Sequence, residues 1–165
     1  MKVNNFFKLV IAIAVSELAG VIGSVFTISA IPNWSTGLVK PALNPPAWVF
    51  GPAWTTLYAL MGISLFLVWK QHSSILENVR MLRMWKIGIA AFFVQLSLNA
   101  VWSIIFFGLQ NPGWALIDIA FLWLAIVWTI TVFYKISKPA AYLLLPYLLW
   151  VSFASYLNYS IWALN

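Results

Sequence analysis

Three pairs of side chains, each one helical turn apart, carry most of the recognition chemistry this sequence offers. Trp54 and Tyr58 form the first, Gln95 and Asn99 the second, and Trp150 and Ala154 the third. Gln95 and Asn99 share a helical face with Trp102, Ser103 and Phe106, and Pro146, Trp150, Ala154 and Asn158 fall at successive four-residue steps. Any one stripe reads as ordinary helix packing. Together they suit a mostly apolar pocket with a few orienting amides, in which a flat conjugated ligand stacks on indole faces.

Other chemistries lack their parts. The chain has no cysteine, which excludes disulfides, thiolate metal sites and cysteine nucleophiles. Its single histidine, His72, sits in a charged loop without a partner ligand, so no metal or haem coordination is expected. No Ser-His-Asp set, paired carboxylates or glycine-rich phosphate loop is present, and hydrolysis and phosphoryl transfer have no machinery.

The elements that must position these residues are membrane helices. Of 165 residues, 64% are apolar and 7% charged, with 18% aromatic and eleven tryptophans. A bilayer core takes about 20 helical residues per span. Five continuous apolar segments, roughly Leu9–Ile31, Trp48–Trp69, Met84–Phe107, Trp114–Tyr134 and Ala140–Trp162, predict an all-α membrane protein, a single domain built as a five-transmembrane-helix bundle. Between them lie a proline-rich first loop, the charged second loop "KQHSSILENVRMLRMWK", an Asn111-Pro112-Gly113 turn and a short "KISKP" link. The first segment is too long for a signal peptide's apolar region, and Glu17 interrupts it, so it is read as a retained helix.

The net charge of +6 follows topology and does not point to nucleic acid. Lys2, Lys8, Lys70, Arg80, Arg83, Lys86, Lys135 and Lys138 share one side of a five-span chain, and Lys40 alone falls on the other. The positive-inside rule then places the N-terminus in the cytoplasm, with the first loop and the C-terminus outside. With no transit peptide in view, a bacterial inner membrane is the expected location.

Two acids fall within apolar segments. Glu17 must face protein or water, or be protonated, because an ionised carboxylate in lipid costs at least ~2.5 kcal/mol. Asp118 follows the Asn-Pro-Gly corner closely and is expected to cap or brace neighbouring chain there. Beside Glu17, the small residues Ala12, Ser16, Gly20 and Ser24, with Gly23 and Thr27, form a stripe that permits close helix packing, within the chain or in a dimer. The stretch "KPALNPPAWVFGPAWTTLY" (Lys40–Tyr58) puts four prolines and two tryptophans at the mouth of the second segment. From the residues alone it is an interfacial aromatic belt and a helix start, with Pro52 in the first turn.

Five motifs, in order, carry a resemblance. "GSVFT" (Gly23–Thr27), the Trp34–Tyr58 pattern with its "KP", "NPP" and "WVFGPAW" elements, "QLSLNAVWSIIFFG" (Gln95–Gly108), "ALIDIAFLW" (Ala115–Trp123) and "LLLPYLLWVSFASYLNYSIWALN" (Leu143–Asn165) resemble the TspO/MBR family, the tryptophan-rich sensory proteins related to the mitochondrial translocator protein. The resemblance implies a five-helix membrane bundle, commonly a homodimer, with porphyrin as ligand and no obligatory cofactor. It implies a pocket lined by Trp54, Tyr58, Gln95, Asn99, Phe106, Trp150 and Ala154, closed over by Trp34 with aromatic cover from Trp34 and Trp48. It also raises light-driven porphyrin degradation through Trp34 and Trp150, and porphyrin or sterol transport, as alternatives. Two departures matter. Ser35 follows Trp34 where many relatives have tyrosine, which removes a phenol from any photochemistry. No Lys or Arg follows Tyr156 or Tyr159, so the cholesterol-recognition pattern is incomplete.

Overall fold

The computed structural model describes residues 4–165. Six helices appear: α1 (Asn5–Ala30), α2 (Ala47–Trp69), α3 (Val79–Ser103), α4 (Pro112–Ile136), α5 (Lys138–Leu143) and α6 (Leu145–Leu164). Single further turns, Ile31–Ser35, Lys70–Ser74 and Ile104–Gly108, prolong α1, α2 and α3. No strand occurs among the described residues. Since α5 and α6 run on as one rod, five helical rods are long and apolar enough to cross a membrane.

Three local expectations change. The fifth segment, read as one helix over Ala140–Trp162, is broken at Leu144. Pro146 has no N–H to donate one turn back, and its ring crowds the carbonyl of Tyr142, so the helix restarts there. Pro52 lies in the sixth position of α2, not in its first turn, and leaves the Trp48 carbonyl without its helical donor. The third segment starts at Val79 rather than Met84, because the Asn78 side chain caps it by accepting from the Met81 N–H at 3.0 Å. Arg80 and Arg83 therefore lie on a helix instead of in a long charged loop.

The rods close into a ring in the order α1, α2, α5–α6, α4, α3. Close approach of backbones depends on the small residues. A Cβ on Gly62 would sit 2.9 Å from the Ile13 backbone nitrogen, and one on Gly23 would sit 2.8 Å from Ser103 Oγ. A Cβ on Gly20 would collide with the Tyr58 ring. The α1 stripe is thus used inside the chain, against α2 and α3.

The ring is packed unevenly. At the end where α1, α3 and α5 begin, Met61, Val68, Phe92, Phe133, Ala140 and Ala141 are fully buried in one apolar cluster. There α2 packs closely on α5, but it meets α6 only sparsely, so the ring gapes toward the opposite end. Lys8, Lys70, Arg80, Arg83, Lys86, Lys135 and Lys138 all belong to the packed end, and Lys40 to the gaping end; Lys2 lies outside the described residues. Large apolar side chains such as Leu18, Val25, Phe121, Trp128 and Leu149 remain exposed around the ring. Such a surface is suited to lipid tails as solvent.

Replacing Gly62 by valine is expected to destabilise the bundle by ~1–3 kcal/mol through overpacking against Ile13. Gly51→Ala, whose added Cβ meets nothing within 4 Å, serves as the neutral comparison. Thermal unfolding in detergent checks both; equal melting temperatures would refute the close-approach role of Gly62.

Candidate ligand-binding cavity

A cavity of about 470 Å³ occupies the gaping end, within the size range of small-molecule sites. Four helices and the first loop line it. α1 contributes Glu17, Gly20, Gly23, Ser24 and Thr27, and α2 contributes Phe50, Trp54, Thr55 and Tyr58. Trp102, Ser103, Phe106 and Phe107 come from α3 and its final turn, and Trp150, Ala154, Leu157, Asn158 and Ile161 from α6. The turn after α1 adds Ser35, and the loop adds Leu38, Lys40, Asn44 and Pro45.

Aromatic rings form two walls. On one side Trp54 stacks on Tyr58 with centroids 5.5 Å apart and meets Trp150 edge-on at 6.4 Å, and Phe50 meets Trp150 at 6.0 Å. On the other, Trp102 stacks on Phe106 at 5.0 Å. The wide last turn of α3, in which the Leu109 N–H reaches back to the Ile104 carbonyl at 2.8 Å, accompanies burial of Phe106 in this wall. Chain reversal follows at Gln110, whose φ of 52° is left-handed, and Asn111 then caps α4 by accepting from the Trp114 N–H at 3.0 Å.

The floor is polar. The Tyr58 hydroxyl donates to Asn99 Oδ1, and Asn99 Nδ2 donates to the Tyr147 hydroxyl at 3.1 Å, which ties α2, α3 and α6 together. Higher up, Trp102 Nε1 donates to Asn158 Oδ1 at 2.9 Å, and Asn158 Nδ2 donates to the Pro112 carbonyl at 2.8 Å. Those bonds hold the second wall and the α4 start against α6. Among the described residues Trp150 Nε1 is buried without a partner, although the Trp150 ring lines the cavity. Lys40 and Glu17 are the charged side chains of the lining, one on the loop and one on α1.

The eight residues singled out from sequence are not all brought together. Trp54, Tyr58, Phe106, Trp150 and Ala154 line the cavity. Asn99 sits directly behind Tyr58 and shapes the floor through it. Gln95 lies one turn, about 5 Å, further along α3; it is 1% exposed, and both polar atoms of its amide lack partners. Trp34 does not line the cavity: its ring packs edge-on against Phe106 at 5.5 Å and Phe107 at 6.4 Å, behind the second wall. Trp48 is 74% exposed and covers nothing. The cover of the cavity is therefore loop aliphatic and polar groups, Leu38, Lys40, Asn44 and Pro45, where Trp34 and Trp48 were expected. Asn111, not Asp118, caps α4, and among the described residues Asp118 Oδ2 is buried without a partner.

Sequence reasoning missed Phe50 and Lys40 as lining residues. Phe50 continues the four-residue step of Trp54 and Tyr58 by one more turn, and Lys40 is the single cation on its side of the chain, so both left a signal. Glu17 left a signal as an acid within an apolar segment, and Ser24 and Thr27 left none beyond their place in the small-residue stripe.

Comparison with known proteins agrees with this architecture. Residues 12–163 match the TspO/MBR family. The chain is 46% identical to "Tryptophan-rich protein TspO" of Archaeoglobus fulgidus, over 98% of this chain and 99% of the relative. It is 40% identical to "Translocator protein" of Homo sapiens, over 87% and 82% respectively. With "Tryptophan-rich sensory protein" of Cereibacter sphaeroides the identity is 33%, over 81% and 77%.

Asn99→Leu is expected to cost ~1–3 kcal/mol, because it strands two buried tyrosine hydroxyls at once. Tyr58→Phe in the same background should then cost far less than it does alone. A double-mutant cycle by detergent unfolding measures this, and additive losses would deny that the three groups act as one unit.

Proposed function

This chain belongs to the TspO/MBR family and is an integral membrane protein, and from that premise we propose that it is a receptor-like binder of porphyrins. The observation that carries this reading is the pair of facing aromatic walls, Trp54–Tyr58–Trp150 and Trp102–Phe106, across a cavity of about 470 Å³. Flat conjugated rings gain stacking on indole and phenol faces, and Ala154, one turn from Trp150, leaves room beside the indole. No metal ligand cluster exists among the described residues, so a tetrapyrrole would be held by packing and hydrogen bonds, with Lys40 available to its polar edge. The role we infer is sensing or regulating tetrapyrrole levels, in keeping with the word "sensory" in the name of the Cereibacter sphaeroides relative. By the positive-inside rule the cavity mouth opens outward and the basic end faces the cytoplasm; a bacterial inner membrane fits that arrangement. A homodimer also belongs to this proposal.

Light-driven destruction of bound porphyrin is the weaker reading, because Phe106 stands between Trp34 and the cavity. Under our reading any fading of the porphyrin Soret band in light is insensitive to Trp34→Phe. Transport is weaker too. It needs an opening at the basic end, where Met61, Val68, Phe92 and Phe133 are buried in one apolar cluster.

Tryptophan-fluorescence quenching by protoporphyrin IX in the dark tests the proposal. Quenching should saturate, and Trp150→Ala and Ala154→Leu should each weaken it by about three- to tenfold, the first by loss of stacking and the second by filling the space. Linear quenching, or quenching indifferent to both substitutions, would mean partition into detergent and would end the porphyrin assignment.

A further inference from the structure

The first loop, residues 36–46, makes few hydrogen bonds to the rest of the molecule. Its own bonds are local: the Gly37 N–H donates to the Trp34 carbonyl at 3.1 Å, and the Asn44 N–H to the Pro41 carbonyl at 2.9 Å. Thr36 Oγ1 turns back to the Pro32 and Asn33 carbonyls, and Asn44 Nδ2 to the Pro45 carbonyl. Among the described residues, only Asn165 hydrogen-bonds this loop to a distant element. The Val39 N–H donates to Asn165 Oδ1 at 3.0 Å, and Asn165 Nδ2 donates to the Val39 carbonyl at 3.1 Å. The same Nδ2 donates to the Ile161 carbonyl at 2.8 Å, which orients the carboxamide on the last turn of α6.

A carboxamide presents one donor edge and one acceptor edge, so it can pair with an extended residue as a neighbouring strand would. Leucine, with no polar group, and lysine, with no acceptor, could not make both bonds. The residue so paired lies between two that line the cavity, Leu38 and Lys40. Leu38 packs on the cluster of Phe106 and Ile161, and the following residues up to Pro45 depend on the Asn165 pair for their polar attachment. Proline at positions 41, 45 and 46 stiffens the far half of the loop, so release at Val39 would move Lys40 and Asn44 together.

We infer that Asn165 is a latch: by pairing with Val39 it holds the first loop over the cavity, places Lys40 in its wall, and sets how fast the cavity exchanges its contents. The inference rests on the cavity being the ligand site, but it does not require that the ligand be a porphyrin.

The native chain lacks cysteine, so Ala154→Cys places one reporter thiol in the cavity wall. Its alkylation by N-ethylmaleimide, followed by mass spectrometry, reads cavity access with no ligand added. Adding Asn165→Ala is expected to speed alkylation on the order of tenfold, as two hydrogen bonds are lost. Asn165→Asp keeps the acceptor for the Val39 N–H and loses both donors, so it should fall between. Hydrogen–deuterium exchange of the Asn165→Ala protein should quicken across residues 36–46. Faster exchange confined to the last turn of α6 would reduce Asn165 to a helix-end cap and overturn the latch. So would an unchanged alkylation rate, even with a loosened loop. Protoporphyrin IX separates the two proposals: if the unmodified protein fails to bind it while Asn165→Ala still speeds alkylation, the porphyrin reading falls and the latch stands.

Discussion

One side chain in the middle of the bundle, the carboxamide of Asn99, joins the hydroxyls of Tyr58 and Tyr147 and so ties three helices at a single level. In a membrane interior such bonds have few competitors, since neither water nor lipid tails offer partners, although each contributes only ~1–2 kcal/mol at most. Their larger effect is positional. The Tyr58 ring is pinned where Gly20 leaves it space, and Trp54 then stacks upon it. On the basic side of this level Met61, Val68, Phe92 and Phe133 are buried in one apolar cluster, and on the other side the helices part. The carboxamide therefore marks the boundary between a packed half and a hollow half.

Keeping a hollow half open in lipid demands reinforcement that does not fill it. Glycines on α1 and α2 let the helices touch at Gly23–Ser103 and Gly62–Ile13, bringing rigid backbone close where side chains are absent. The Trp102–Asn158–Pro112 bonds brace the second wall from behind, and Trp34 buttresses Phe106 from the side away from the cavity. Aromatic rings are well suited to this task. Edge-to-face packing fixes one ring against the next while leaving the opposite face available for a ligand. Several tryptophans thus serve as structural members, and fewer than their number implied stand ready as binding surface.

The lid follows the same economy. Its prolines limit the conformations it can lose on closing, and its attachment at Val39 is short and polar. A two-point amide pair keeps geometry without adding apolar surface.

Periodicity and composition by themselves determined a helical membrane bundle, its number of crossings and the segregation of cations to one end. Long apolar runs admit no other solution in lipid, and charge asymmetry survives any detail of packing. They also determined that Trp54, Tyr58, Trp150 and Ala154 share faces at one-turn spacing, because helical geometry is local. Only the tertiary structure decided which faces meet. Gln95 and Asn99 lie on one stripe, yet one turn separates a floor from a buried orphan amide, since depth along a neighbouring helix is not written in spacing. Trp34 and Phe50 were equally aromatic in sequence. The gap between α2 and α6, together with the wide turn that ends α3, set Phe50 inside the cavity and Trp34 behind its wall. The pairing of Val39 with Asn165, 126 positions apart, had no local signal at all, because it exists only once the ring of helices has closed.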